Sequence, residues 1–350
     1  MSAGKVLIIG PRFHYFNASI ERAFRSLDYL TEVLAYDNPV HPYTLVNKVR
    51  YKLTGDKLKM KRRSRQAFQV EAQAAFAKAC PDVVFVMNGD MLLPSTIEGW
   101  RKQGAKVALW FFDSMTHIPL CEDNIPAVDA VFCYEQTDIP LIKERYGVTA
   151  HFLPQAVDLM LYHPLAAESA SSTPQSVADP KLFDIVFAGD IFHSRRRREI
   201  IQALVSHYPQ LRIRVWGDYK PWYKNPLRWL LRERRDVYQN RNTTGQQLNL
   251  DYNHSHLVLN IHIEQQKDGA NPKVYEICAS GAYQICNANP YLEQLFPHGE
   301  VGLYHSLDEL FALVDHALSH DMSTKALAAH RIVVSQHTFQ HRMQYVIEQL

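Results

Sequence analysis

Short apolar runs, each closed by a glycine, asparagine or aspartate and followed by a helix-like stretch, recur along this chain in two successive series. Lys5 to Ile9 reads as a buried strand closed by Gly10-Pro11. Residues 18 to 30 read as a helix, and Thr31 to Tyr36 as the next strand. Asp82 to Met87 ends at Asn88-Gly89-Asp90, helix 94–103 follows, and Lys106 to Phe112 ends at Asp113. Strand 130–134, helix 138–145 and strand 150–153 complete the first series. Residues 164–180 are small, polar and proline-containing, as in a linker. The pattern then restarts with strand 183–188 closed by Gly189, helix 195–206, strand 211–216 closed by Gly217, and strand 257–262. Continuous apolar strands alternating with helices predict parallel sheets covered on both faces. The fold class is α/β, with two Rossmann-like doubly wound domains facing a cleft.

The expected boundaries are an N-terminal domain over 1–163, the linker over 164–180 and a C-terminal domain over 181–337. The segment 338–350 reads as a helix that could cross back to the first domain. A chain of 350 residues suits two domains better than one core. Its apolar fraction of 47% and charged fraction of 21% are those of a globular protein. Five scattered cysteines form no Cys-x-x-Cys pair, which argues for reduced thiols rather than a disulfide frame or zinc site. The start lacks the pattern of a signal peptide, and no run of about 18 apolar residues is present. The expected location is therefore cytoplasmic.

Ligands of open α/β sheets bind beyond the carboxyl ends of the strands. The most informative stretch there is 268–287, DGANPKVYEICASGAYQICN. A loop ending in Asn271, Pro272 and Lys273 feeds a helix start, which is a ready anion site. Glu276, one turn in, can accept two hydroxyl hydrogen bonds from a ribose. Together these residues describe a pocket for a nucleotide diphosphate. The alternative for Glu276 is a solvated charge at a helix start, and for Asn271 and Lys273 plain loop polarity.

Gly189 permits close backbone approach of a ligand, and Arg195, opening the next helix, could pair with phosphate. Arg195 to Arg198 cannot all face one way on a helix, so most of that run reads as solvated. Gly10 and Gly217 are candidate cleft-lining glycines, or simple turn positions. Asp113 is a candidate general base or a helix cap. His14 and His117 are rival bases or structural histidines. His254, His256 and His262 are not placed for a shared metal ion.

The order and spacing of five pieces bring in a resemblance: FDIVFAGDIFHSR (183–195), LRIRVWG (211–217), YNHSHLVLNIH (252–262), NPKVYEICASGAYQIC (271–286) and HTFQHR (337–342). Over roughly 183–350 the chain resembles the CgeB/spore-maturation type of glycosyltransferase, which has a GT-B fold and a glycosyl transferases group 1-like C-terminal domain. KVLIIGPRF (5–13), VALWFFD (107–113) and FLPQAVD (152–158) match more loosely. The resemblance implies transfer of a sugar from a nucleotide-sugar bound by the C-terminal domain to an acceptor bound by the N-terminal one. It implies no metal and no cofactor, the nucleotide-sugar being a substrate. Many retaining GT-B enzymes carry Glu-x7-Glu; here Asp268, about one methylene shorter, takes the first position and Glu276 the second. The acceptor expected is a cell-surface polysaccharide, a lipid-linked saccharide or a protein. A catalytically silent sugar-binding or assembly protein and a nucleotide-sugar epimerase are the alternatives on the same fold.

Two basic stretches add a partner expectation. Residues 43–66 hold nine Lys/Arg against Asp56 alone, and 220–241 mix seven with tryptophan and leucine. Such stretches suit an anionic bilayer edge, at about 1 kcal/mol per basic residue. A peripheral position on the inner face of the plasma membrane is the corresponding expectation. The net charge of +2 and the lack of any recognised motif argue against nucleic acid as a partner.

Overall fold

The structure is a computed structural model. It describes residues 3–12, 15–36, 57–165, 181–217, 236–239, 241–243 and 245–350. The chain forms two compact units, Met1–Pro154 with Phe339–Leu350, and Gln155–Thr338.

The first unit runs β1 (Gly4–Pro11), α1 (Phe16–Ser26), β2 (Tyr29–Tyr36), α2 (Lys57–Ala79), β3 (Val83–Met87), α3 (Pro94–Lys102), β4 (Lys106–Phe111), β5 (Ala130–Cys133), α4 (Asp138–Tyr146) and β6 (Ala150–Phe152). The sheet order is β2-β1-β3-β4-β5-β6. Every pairing is parallel, with Ile8 opposite Val33 on one side and Phe85 on the other. The order reverses between β1 and β3, which creates a switch point at their carboxyl ends. All five residues of β3 are buried, as a strand covered on both faces requires. α1 buries Phe16, Ser19, Ile20, Ala23 and Phe24, a helical stripe. It stops at Ser26, four residues earlier than the pattern predicts. Asp28 turns the chain with φ of 62°, and Tyr29 already pairs with Gly4 in the sheet.

α2 has no counterpart in the sequence-based reading, which saw only the basic charge of this region. The helix nevertheless buries Phe68, Ala72, Phe76 and Ala79 at helical spacing. The last helix, α11 (Phe339–Glu348), belongs to the first unit. It buries Phe339, Met343 and Val346. Phe339 lies 6.3 Å from the Phe16 ring, and Arg342 Nε donates to the Pro154 carbonyl at 2.8 Å.

The second unit runs β7 (Phe183–Ala188), α5 (Arg195–His207), β8 (Ile213–Trp216), α6 (Gln246–Asn253), β9 (Ser255–Asn260), α7 (Pro272–Ala279), β10 (Gln284–Asn287), α8 (Pro290–Leu295), β11 (Gly302–Tyr304), α9 (Leu307–Ser319) and α10 (Ser323–Gln336). Its parallel sheet has the order β11-β10-β9-β7-β8. Ile185, Phe187, Val215 and Leu257 pack with Ile201 and Leu204 of α5 and with Leu310 and Val314 of α9. The strand expected at 257–262 is Ser255–Asn260, so His262 falls in the loop beyond the sheet. Residues 155–163, expected in the first domain, lie in the second unit. Val157 N–H donates to the His337 carbonyl at 3.0 Å, and His163 N–H to Asn249 Oδ1 at 3.1 Å. Most of the expected linker, 166–180, lies outside the described residues.

Candidate active site

The corner where β7 and β8 end is shaped by two glycines. The Gly189 N–H donates to the Trp216 carbonyl at 3.0 Å. Gly217 has φ of +128°, and a Cβ there would lie 1.9 Å from the Gly189 carbonyl oxygen. Only glycine fits, because two backbones touch. Trp216 closes the corner, donating from Nε1 to Asp251 Oδ2 at 2.6 Å, with the Arg241 guanidinium 5.0 Å from its ring centroid.

The N-terminus of α5, where the sequence places Arg195 as a phosphate ligand, already holds an anion. Glu264 accepts from the Arg196 N–H at 2.7 Å and from the Ser194 hydroxyl at 2.9 Å, while Ser194 Oγ caps the Arg197 N–H. Burial pushes the Glu264 carboxyl up, but these donors win and hold it below its ordinary value. Arg195 points outward, its side chain 79% exposed and paired with Glu199 at 2.6 Å. Arg197 is the arginine that turns in. Its Nε donates to the Ile261 carbonyl at 2.8 Å and its Nη1 to the Asp190 carbonyl at 3.3 Å. Burial lowers its pKa to about 10. It ties the loop after β7 to the end of β9, a role the sequence reading assigned to no residue of the Arg195–Arg198 run.

The loop from 261 to 271 is fixed by buried polar pairs. His262 is fully buried, and burial together with Arg197 pushes its pKa down to about 3. It accepts at Nε2 from the Asn271 N–H at 3.2 Å. Its proton therefore sits on Nδ1, which faces the Cys286 sulfur at 3.4 Å. The Asn271 amide is committed to Asn260, each donating to the other at 3.0 and 2.9 Å. Asn271 thus holds the loop with its side chain rather than extending it toward solvent. Asp268 is half-buried on this loop.

α7 follows directly. Pro272 occupies its first turn, where a missing N–H costs nothing, and no acidic residue lies in that turn. Lys273 and Glu276 share one face, with Lys273 Nζ 4.0 Å from Glu276 Oε2. Glu276 is only 2% exposed. The Tyr162 hydroxyl bonds to it and also accepts from the Gly245 N–H at 3.1 Å. Burial and then Glu276 hold both Tyr162 and Tyr252 protonated, far above the ordinary tyrosine range. The two rings stack 6.4 Å apart. Neither tyrosine was assigned a role from the sequence: Tyr162 falls at the end of the expected first domain, and Tyr252 opens the piece 252–262 without a function of its own. Lys273 and Glu276 are brought together; Arg195 is not brought to them.

In the first unit, the ends of β1 to β4 enclose a cavity of about 260 Å³ lined by Pro11, Tyr36, Asn88, Asp90, Asp113 and His117, with Lys61 reaching in from α2. Asp113 is there, as its strand-end position predicts. The residue is itself exposed; partial loss of hydration among the surrounding protein atoms raises its pKa, and His117 opposes that shift. Gly10 does not line the cavity. A Cβ at Gly10 would lie 1.9 Å from the Met87 Cε and 2.6 Å from Asn17 Oδ1, so both side-chain ends would have to move to admit one. His14 lies outside the described residues. Among the described residues no three His, Cys, Asp or Glu side chains gather as a metal site.

Residues 195–348 match the family model described as glycosyl transferase-like. The whole chain is similar in structure to sucrose-phosphate synthase from Thermosynechococcus elongatus, with a TM-score of 0.69 at 12% identity over 99% of this chain and 98% of that one. It is also similar to a UDP-forming trehalose-phosphate synthase from Burkholderia xenovorans, with a TM-score of 0.63 at 11% identity over 100% of this chain and 99% of that one. For the Anabaena protein HepE in complex with UDP and glucose, the TM-score is 0.62 at 12% identity over 99% and 100%. A search of curated protein sequences found no match. The fold is GT-B, and the segment from α5 to α11 matches the glycosyl transferase-like model. The finer CgeB-type resemblance is not established by these comparisons.

Proposed function

We propose that this protein transfers a sugar from a nucleotide-sugar donor, held by the second unit, to a hydroxyl of a saccharide, lipid-linked or protein acceptor. The observation that carries this reading is Glu276. It is an almost fully buried carboxylate on the first turns of α7, beside Lys273, inside the segment that matches a glycosyl transferase-like family. Ribose hydroxyls donate to such a carboxylate. The leaving nucleoside diphosphate gathers charge as the glycosidic bond breaks, and Lys273 with the positive end of α7 stabilises it. Arg195 and Asn271 supply no side chain to this step, since the first is paired with Glu199 and the second with Asn260. In the first unit Asp113, whose pKa is raised above the ordinary aspartate value, takes the proton of the acceptor hydroxyl. UDP is the first base to test, because HepE was solved with UDP and glucose. The exposed Arg62 and Arg63 of α2 continue the basic run and support an acceptor presented at an anionic membrane face.

The reading is tested by incubating the protein with UDP-, GDP- and dTDP-sugars and measuring nucleoside diphosphate release with and without saccharide acceptors. Release from one donor class is expected, and Glu276→Gln should lower kcat/KM at least tenfold. No release from any donor would refute it.

A further inference from the structure

The cavity of the first unit has a charge pattern that bears on what it admits. Lys61 is the one lysine lining it among the described residues, and its ammonium lies 2.8 Å from Asp90 Oδ2, with both side chains largely buried. Tyr36 donates its hydroxyl to Asp90 Oδ1 at 2.8 Å. Lys61 is therefore neutralised in place, and Asp90 is held rigid by two partners. A carboxylate offers about four lone-pair sites, so each Asp90 oxygen can still accept a hydroxyl from a ligand. Asp113 is the second carboxylate facing the same space, with Asn88 and His117 beside it. The cavity's 260 Å³ corresponds to about nine waters at roughly 30 Å³ each, room for one sugar ring.

We infer that the first unit's cavity selects an uncharged, polyhydroxylated monosaccharide unit as the reacting end of the acceptor, read by the Lys61-Asp90-Tyr36 array. This inference rests on the transferase reading above. Sugar hydroxyls donate to Asp90 and Asp113. A phosphate placed there meets two carboxylates and a lysine already paired, so the site rejects it by repulsion. Asp90 is a specificity-determining residue in this account, and Asp113 the proton acceptor.

The experiment is a calorimetric and saturation-transfer titration of the full protein, with and without UDP. The probes are glucose, galactose, mannose and N-acetylglucosamine, each against its own 6-phosphate. At least one neutral sugar should bind, with its phosphate at least tenfold weaker. Asp90→Asn frees Lys61 from its partner, so it should weaken the neutral sugar at least fivefold and narrow or reverse the discrimination. If that variant fails to fold, the wild-type comparison of each neutral sugar with its own 6-phosphate decides the question alone. Phosphates binding as well as their parent sugars, or no neutral sugar binding at all, would overturn the inference. Either result with UDP binding intact leaves the transferase reading standing. Loss of nucleotide binding together with donor turnover would remove that reading instead.

Discussion

His262 shows how a single buried side chain carries pH dependence into the fold. Its folded-state pKa of about 3 lies below the unfolded value of about 6.5. Above pH 6.5 neither state binds the proton; below it only the unfolded chain does, so stability is lost as pH falls toward 3. From pH 7.5 to 5.5 this one group should cost about 1.4 kcal/mol. Urea titrations at the two pH values check it: His262→Asn should lose about that much less than the wild type over the same interval. Asp113, the proposed base, makes the counterpart for the reaction. With a raised pKa, a base loses activity as pH falls through a value above the ordinary aspartate range. The acidic limb of kcat/KM should sit there, and Asp113→Asn should abolish it and lower the rate about 100-fold or more. A limb unmoved in Asp113→Asn would reassign the base. At this scale the sequence marked Asp113, Lys273 and Glu276, because each stands at a strand end or in the first turns of a helix. It could not mark Arg197 over Arg195. Four consecutive arginines have one chemistry, and only the carbonyls of Ile261 and Asp190 decide which one turns inward.

The corner between β7 and β8 is the element on which the second unit's site geometry depends most. Replacing Gly217 with alanine forces a Cβ against the Gly189 carbonyl at a backbone angle that L-residues avoid. Gly217→Ala should cost about 3 kcal/mol or more by denaturant titration, whereas Gly99→Ala, where a Cβ would meet nothing within 4 Å, should be neutral or slightly stabilising. Most of the parallel strands were legible as short apolar runs with a glycine or polar stop; β11, three residues long, was not. α2 was not, because its apolar stripe begins only at Phe68, after a run of cations that reads as a solvated face. Two of those cations, Lys61 and Arg65, are largely buried: one meets Asp90, the other the Leu92 carbonyl at 2.7 Å. Most of both basic stretches falls outside the described residues.

As a whole molecule, the chain leaves the first unit at Pro154 and returns to it with α11. Burying Phe339, Met343 and Val346 is worth about 1.5–3 kcal/mol each, comparable to the entire stability of a small domain. Residues 1–154 expressed alone should therefore show no cooperative melt by circular dichroism, and adding the α11 sequence should restore one. That return was legible as a helical C-terminal segment; the shift of 155–163 into the second unit was not, because it depends on Val157 reaching His337 across most of the chain. No helix among the described residues is long and apolar enough to cross a membrane. Sedimentation with phosphatidylglycerol vesicles but not phosphatidylcholine vesicles would check the proposed anionic surface. In the proposed reaction Glu276 clasps the donor's ribose. Calorimetric titration of UDP, GDP, dTDP and CMP into the wild type and Glu276→Gln tests it most directly. We expect one nucleotide to bind the wild type and its Kd to rise at least tenfold, about 1.4 kcal/mol, in the variant. Binding of none, or equal binding to both proteins, would contradict it.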